Sequence, residues 1–169
     1  LMDTAEERLW MVTPYLVMDG PMRDSLTAVC AGAPGDTKIL VNSREAGNNI
    51  IASADYTIHR PMAERLGVPL WEFQGDWSMH TKSVLVDHDL SLIGSFNFDP
   101  RSAYLDTELM LAVYSRELNA QLAENMDSLW DQSLRWQSGA YAEGGTSPKA
   151  ASFGKMALIT LLSPFVSLV

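Results

Sequence analysis

The sequence predicts an α/β domain in which helices cover both faces of a layered, mixed β-sheet. Three observations predict it. Short apolar runs alternate with helical patterns through the first 73 residues, giving the order strand, helix, strand, helix, strand of a layered domain. From residue 70 to 113 the strand candidates are mostly consecutive, which a purely parallel sheet with its long crossovers does not allow. Finally, 169 residues with 47% apolar and 20% charged side chains suffice for one domain with a sizeable core.

Leu9 to Thr13 is the first apolar strand candidate. Gly20-Pro21 opens a helix that runs to Ala31, and Gly32-Ala33-Pro34-Gly35 closes it. Thr37 to Asn42 is the second strand. Asn48 to Leu66 reads as a helix interrupted by Pro61 and ended by Gly67-Val68-Pro69, with Asn48-Asn49 either capping it or touching a ligand. Leu70 to Phe73 is the third strand, and Gly75-Asp76 turns the chain. Thr81 to Asp87 and Leu90 to Gly94 then form a hairpin around Asp87-His88-Asp89. Asp106 to Val113 is a further strand with Glu108 near its start. Ser115 caps a long helix whose Leu118, Leu122, Met126, Leu129, Trp130 and Leu134 keep helical spacing, a stripe read as core packing. Gly139 to Ser152 is linker-like, with Gly144-Gly145 and Ser147-Pro148. The expected organisation is a domain over 1–138, a linker over 139–155 and an apolar tail over 156–169, without internal repeats.

The hairpin carries the chemistry. His80, Lys82, Asp87, Gly94, Ser95 and Asn97 spell H-x-K-x4-D-x6-G-S-x-N, six fixed residues over eighteen positions. Side chains two apart on a strand share a face, so His80 and Lys82 project together, as do Ser95 and Asn97 if the chain stays extended past Gly94. An imidazole, an ammonium, a hydroxyl and an amide then converge as a phosphate pocket with a nucleophile beside it. A neutral imidazole can attack phosphorus and divide one displacement into two. Lys82 supplies charge, while Asn97 and Ser95 donate to the non-bridging oxygens, and no metal is required. Gly94 permits close approach of backbone to ligand. Asp87, out of register with His80 and Lys82, anchors the hairpin. Glu108 is either the acceptor that holds the second ring nitrogen of His80 or a solvated strand-end carboxylate.

The net charge of -9 weighs against a nucleic-acid substrate, because affinity for a phosphate backbone comes from basic side chains. It gives no help on anionic membranes either. The single cysteine, Cys30, cannot form an internal disulfide and reads as a small buried hydrophobe.

From Ser78 through His80, Lys82, Asp87, Gly94, Ser95, Asn97 and Asp99-Pro100-Arg101-Ser102 to Thr107-Glu108, the sequence resembles the phospholipase D superfamily, in its bacterial cardiolipin synthase branch. Thr13-Pro14-Tyr15 resembles the start of the second half of such enzymes, and the likeness covers roughly residues 8 to 136. The resemblance implies a phospholipase D-like half-domain, phospholipid as substrate, His80 as nucleophile, Lys82 and Asn97 at the site, Ser95 and Glu108 in support, and no metal or other cofactor. It also implies a general acid histidine from a second copy of the motif. Only one H-x-K occurs here, so the second copy is expected from a half preceding Leu1 or from another copy of the chain, the former being favoured. Alternatives are a single-motif nuclease of the superfamily and a non-catalytic half that completes a partner.

The expected setting is a bacterial inner membrane, the side unspecified. Met156 to Val169 is apolar and, as a helix, would reach about 21 Å, short of a ~30 Å hydrocarbon core. It either lies in the interface or packs on protein. His59 reads as a packed or helix-surface histidine and His88 as an exposed one. Trp71, Phe73 and Trp77 line a lipid channel or pack the core. Arg101 pairs with phosphate or with Asp106.

Overall fold

The computed structural model describes residues 1–166. In chain order it places β1 (Arg8–Val12), α1 (Gly20–Gly32), β2 (Asp36–Asn42), α2 (Ile50–Arg65), β3 (Leu70–Phe73), β4 (Ser83–Val86), β5 (Leu90–Gly94), α3 (Pro100–Tyr104), β6 (Met110–Tyr114), α4 (Arg116–Trp130), β7 (Ser133–Gln137), β8 (Ala140–Gly144) and α5 (Phe153–Val166). The strands form one mixed sheet in the order β6-β5-β4-β1-β2-β3-β7-β8. β1, β2 and β3 run parallel, and the other pairs are antiparallel.

Alternation along the central strands sends side chains to two separate cores. Leu9, Met11, Ile39, Val41, Leu70, Val84 and Val86 pack with Met22 and Leu26 of α1 and with Tyr56 and Ala63 of α2. Trp10, Val12, Leu40, Phe73 and Leu85 pack on the other face with Ala123, Met126, Leu129 and Trp130 of α4. Trp71 and Phe73 therefore belong to the second core rather than to a lipid channel, and Trp77 meets Phe73 at a tilt with ring centroids 4.8 Å apart.

Four expectations are corrected. α2 continues through Pro61 instead of breaking, because Tyr56, His59, Arg60 and Ala63 are buried on both sides of the proline and hold the helix to the sheet. The helical stripe stops at Trp130, and Leu134 is buried on β7. Residues 140–144, read as linker, form β8. A Ser138-Gly139 turn with φ of 54° and 76° joins it to β7, and Trp136 meets Tyr141 edge-on across the pair. Lastly, α3 was not foreseen, although Asp99 caps it through a 2.7 Å bond from Ser102 N and Pro100 opens it.

α5 packs on α2, with Ile159 fully buried and Ser163 nearly so. Its Lys155 Nζ donates 2.7 Å bonds to the carbonyls of Glu45 and Gly47. Phe153, Leu161 and Phe165 face outward. The final three residues of the predicted tail lie outside the described residues. No helix among the described residues is long and apolar enough to cross a membrane.

His59 is buried, and both ring nitrogens face acceptors: Nδ1 lies 3.1 Å from the Asp55 carbonyl and 3.2 Å from its carboxylate, and Nε2 lies 3.0 Å from the Met18 carbonyl. Burial pulls its pKa down, but these acceptors outweigh it and the net direction is up. A raised folded pKa stabilises the fold fully below the unfolded value near 6.5, and that contribution is lost as pH rises through the folded value. Urea midpoints should therefore fall between pH 6 and pH 8 more steeply for the parent than for His59→Gln. Equal slopes would remove His59 from the pH dependence.

Candidate active site

Of the predicted site residues, all but Asp87 gather at the carboxyl ends of the parallel strands, where ligands bind in open α/β sheets. The antiparallel hairpin makes this possible: the start of β4 pairs with the end of β1 on one side and with the end of β5 on the other. β4 begins at Ser83, paired with Val12, rather than at Thr81, because β1 ends there. His80 and Lys82 thus sit in a lead-in outside the sheet, and that lead-in needs another anchor.

Asn42, the last residue of β2, is the anchor. Its buried amide donates 2.8 Å to the Met79 carbonyl and accepts 2.9 Å from the Met79 N–H, while also donating 3.2 Å to the Pro14 carbonyl. One side chain replaces a strand partner for the residue before His80. Sequence reading missed it, since an asparagine closing an apolar strand looks like an ordinary strand end. If His80 is the nucleophile the sequence suggests, Asn42→Ala should lower kcat roughly 10²-fold with KM little changed, because misplacing a reacting group costs about that much. An equal fall in thermal stability and in kcat, with KM rising, would make Asn42 merely structural.

The His80 ring is exposed and meets Tyr15 edge-on at 6.4 Å between centroids. Partial burial, and next the positive charge of Lys82, lower its pKa, so the neutral, nucleophilic imidazole persists to more acidic pH. Lys82 Nζ donates 2.8 Å to the His80 carbonyl, which leaves donors free for a ligand. Burial lowers the Lys82 pKa, opposed by the charges of Glu108 and Asp99.

Ser95 and Glu108 depart from the sequence reading. The Ser95 hydroxyl donates to the Glu108 carboxylate and accepts 3.1 Å from Leu109 N. A hydroxyl has one hydrogen, so in this arrangement Ser95 is committed to Glu108 rather than to phosphate. Glu108 correspondingly bonds Ser95, and the His80 ring has no hydrogen bond to it. β6 also starts later than predicted, at Met110, because α3 and the turn through Asp106 intervene. Gly94 serves the same junction: a Cβ there would collide with the Leu109 carbonyl oxygen, so the glycine admits β6 backbone rather than ligand.

Asn97 lies after β5 with its Nδ2 3.4 Å from Ser102 Oγ, leaving one amide hydrogen for a ligand. Asp87 points away from the site. Its carboxylate accepts from the N–H groups of Glu6 at 3.0 Å, Glu7 at 2.8 Å and Arg8 at 3.0 Å, which ties the hairpin to the start of β1. Arg101 pairs with Asp106 at 3.0 Å, and exposed His88 lies 3.2 Å from Glu7. Asn49 caps α2, accepting 3.1 Å from Ala52 N. Among the described residues, no three His, Cys, Asp or Glu side chains form a metal-binding group.

Comparison with known proteins places this geometry. The model of the cardiolipin synthase, phospholipase D-like domain matches residues 1–130. The chain belongs to this family. Cardiolipin synthase A of Escherichia coli (strain K12 / DH10B) is 35% identical over 125 residues, 73% of this chain and 25% of that protein. Its counterpart in Escherichia fergusonii matches to the same extent. The phospholipase D-like domain thus spans about a quarter of the length of the curated relatives it matches. Among solved structures, phosphatidylserine synthase of Haemophilus influenzae Rd KW20 superposes with a TM-score of 0.71 at 18% identity, over 97% of this chain and 40% of that one. Nuc from Salmonella typhimurium, a phospholipase D family member, gives 0.60 at 22%, over 81% and 86%. These two likenesses show the shared mixed-sheet α/β fold.

Proposed function

We propose that this domain carries the nucleophile of a metal-independent phosphodiester transfer on phospholipid, passing through a phosphohistidine at His80. The supporting observation is an imidazole of lowered pKa, on a backbone clamped by Asn42, with Lys82 and Asn97 at the same sheet end. A ring nitrogen of His80 bonds to phosphorus as the bond to the leaving alcohol breaks, and that alcohol takes a proton from a general acid in a second half. An acceptor alcohol then bonds to phosphorus and returns a proton to that group, and the phosphorus–nitrogen bond breaks. Phosphatidylglycerol as acceptor gives cardiolipin, and water gives hydrolysis. Lys82 and Asn97 hold the non-bridging oxygens. Ser95 and Glu108 fix the β5–β6 junction, and Glu108 sustains the charge on Lys82.

An exposed apolar surface that starts at the site and runs along the sheet edge supports the need for a second half. Edge strand β6 and its approach expose Leu109 at 68%, Leu111 at 57% and Tyr114 at 72%. Bare apolar strand edges invite a partner. The outward Phe153, Leu161 and Phe165 of α5 support seating on a bacterial inner membrane. The deciding experiment is rapid quench of the assembled enzyme with phosphorus-labelled phospholipid. Acid-labile label should appear on the His80 peptide within the first turnover and survive EDTA. Label that never reaches His80, or that needs a divalent ion, refutes the reading.

A further inference from the structure

The mechanism leaves one large feature unused. A cavity of about 800 Å3, within the range typical of ligand sites, runs from Tyr15 and Asn97 past α3 and the start of α2 to Val166 near the end of α5. Most of its polar side chains already have protein partners, whereas Asn97, at the end nearest the site, keeps an unpartnered Oδ1 and one free amide hydrogen. Asp55 pairs with His59, Asp99 and Asn49 cap helices, Arg101 pairs with Asp106, and Ser102 Oγ accepts from Asn97. Tyr104 bonds Asp19. Apart from the Tyr15 hydroxyl and the Asn97 amide at the end nearest the site, the surface left for a guest is hydrocarbon: the Tyr15 ring, Val17, Ile51, Ala52, Leu105 and Val166.

The charges on the wall narrow the guest further. Three carboxylates, Asp55, Asp99 and Asp106, face one guanidinium that is itself paired. A second phosphate would meet net negative potential and no free cation, so a nucleic-acid strand does not fit here. A hydrocarbon chain requires no polar partner and gains from leaving water.

Resting on the function proposed above, we infer that this cavity seats an acyl chain of the phospholipid whose phosphate is held at Asn97 and Lys82. Asn97 belongs to both places, so a phosphate on its amide directs the attached hydrocarbon along the wall toward α5. The chain then emerges beside exposed Ile51 and Phe165, on the side where the outward face of α5 is apolar. The substrate would be drawn sideways from a lipid surface, headgroup first.

Two variants test this. Ala52→Trp fills the cavity, and Ile51→Glu places a charge at its exposed mouth with little risk to folding. The probe is phosphatidylglycerol bearing a fluorescent acyl chain, below its micellar concentration, with binding read by anisotropy on the full chain. Each variant that keeps its circular dichroism spectrum should bind at least tenfold more weakly than the parent. In the assembled enzyme, the ratio of turnover on long-chain phosphatidylglycerol to turnover on bis(p-nitrophenyl) phosphate should fall by a similar factor. Unchanged affinity in the folded variants, or a parent that does not bind the probe, overturns the acyl seat. Probe binding that the variants abolish, in an assembled enzyme that turns over neither ester, would uphold the seat and refute the function. Turnover of both esters with an unmoved ratio would do the reverse.

Discussion

Replacing His80 with alanine should lower kcat of the assembled enzyme by roughly 10⁴-fold or more, as losing a nucleophile does elsewhere, while KM changes little. The asymmetry follows from the architecture. Lys82 and Asn97, which hold the phosphate in this proposal, keep their own backbone supports when the ring is removed. Binding would persist while bond formation stops. In the parent, protonation of His80 removes the attacking lone pair, so kcat/KM should fall on the acid side. Burial and Lys82 lower the His80 pKa, which places that limb below the ordinary histidine range. Residual activity within tenfold of the parent, or an acid limb above the usual histidine pKa, would move the nucleophile elsewhere.

Replacing Arg60 with methionine should cost about 3–5 kcal/mol of folding stability, a large part of what a domain this size possesses. Glu72 on β3 is fully buried. Arg60 Nε lies 2.6 Å from its carboxylate, and the hydroxyls of Tyr56 and Tyr141 each donate to it at 2.7 Å. The guanidinium also lies over Trp136, its Cζ 3.1 Å from the ring centroid. Removing Arg60 leaves a carboxylate without its counter-charge in the core and takes the cation–ring contact with it. Tyr141→Phe, which keeps the ion pair, should cost only about 1.5–3 kcal/mol. Urea unfolding of the two variants tests the order. A Tyr141 variant as unstable as the Arg60 variant would show that hydrogen bonding, not charge, holds the network.

What the sequence disclosed follows from the range of the forces involved. β3 and β5 were readable to the residue because each is an apolar run bounded by turn residues, Leu70–Phe73 before Gly75-Asp76 and Leu90–Gly94 after Asp87-His88-Asp89. The motif residues could be named because their spacing is local. Their partners could not. The clamp of Asn42 on Met79 spans 37 residues of chain, and no local pattern distinguishes such an amide from a strand end. The single hydrogen of Ser95 goes to Glu108 thirteen residues on, a choice fixed only when β5 meets β6. Two misses did have local signals. Asp99-Pro100 is a helix start, and Ser138-Gly139 between Trp136 and Tyr141 is a hairpin turn that the nearby Gly144-Gly145 and Ser147-Pro148 obscured.

Strand β6 and the residue before it close the sheet on one side with Leu109, Leu111 and Tyr114 uncovered. Produced in isolation, such a border offers other chains a template for stacking ladder upon ladder. Companionship would then be a condition of staying dispersed as well as of turnover. Yield of unclumped material, rather than rate, would be the first property to suffer when the companion is withheld.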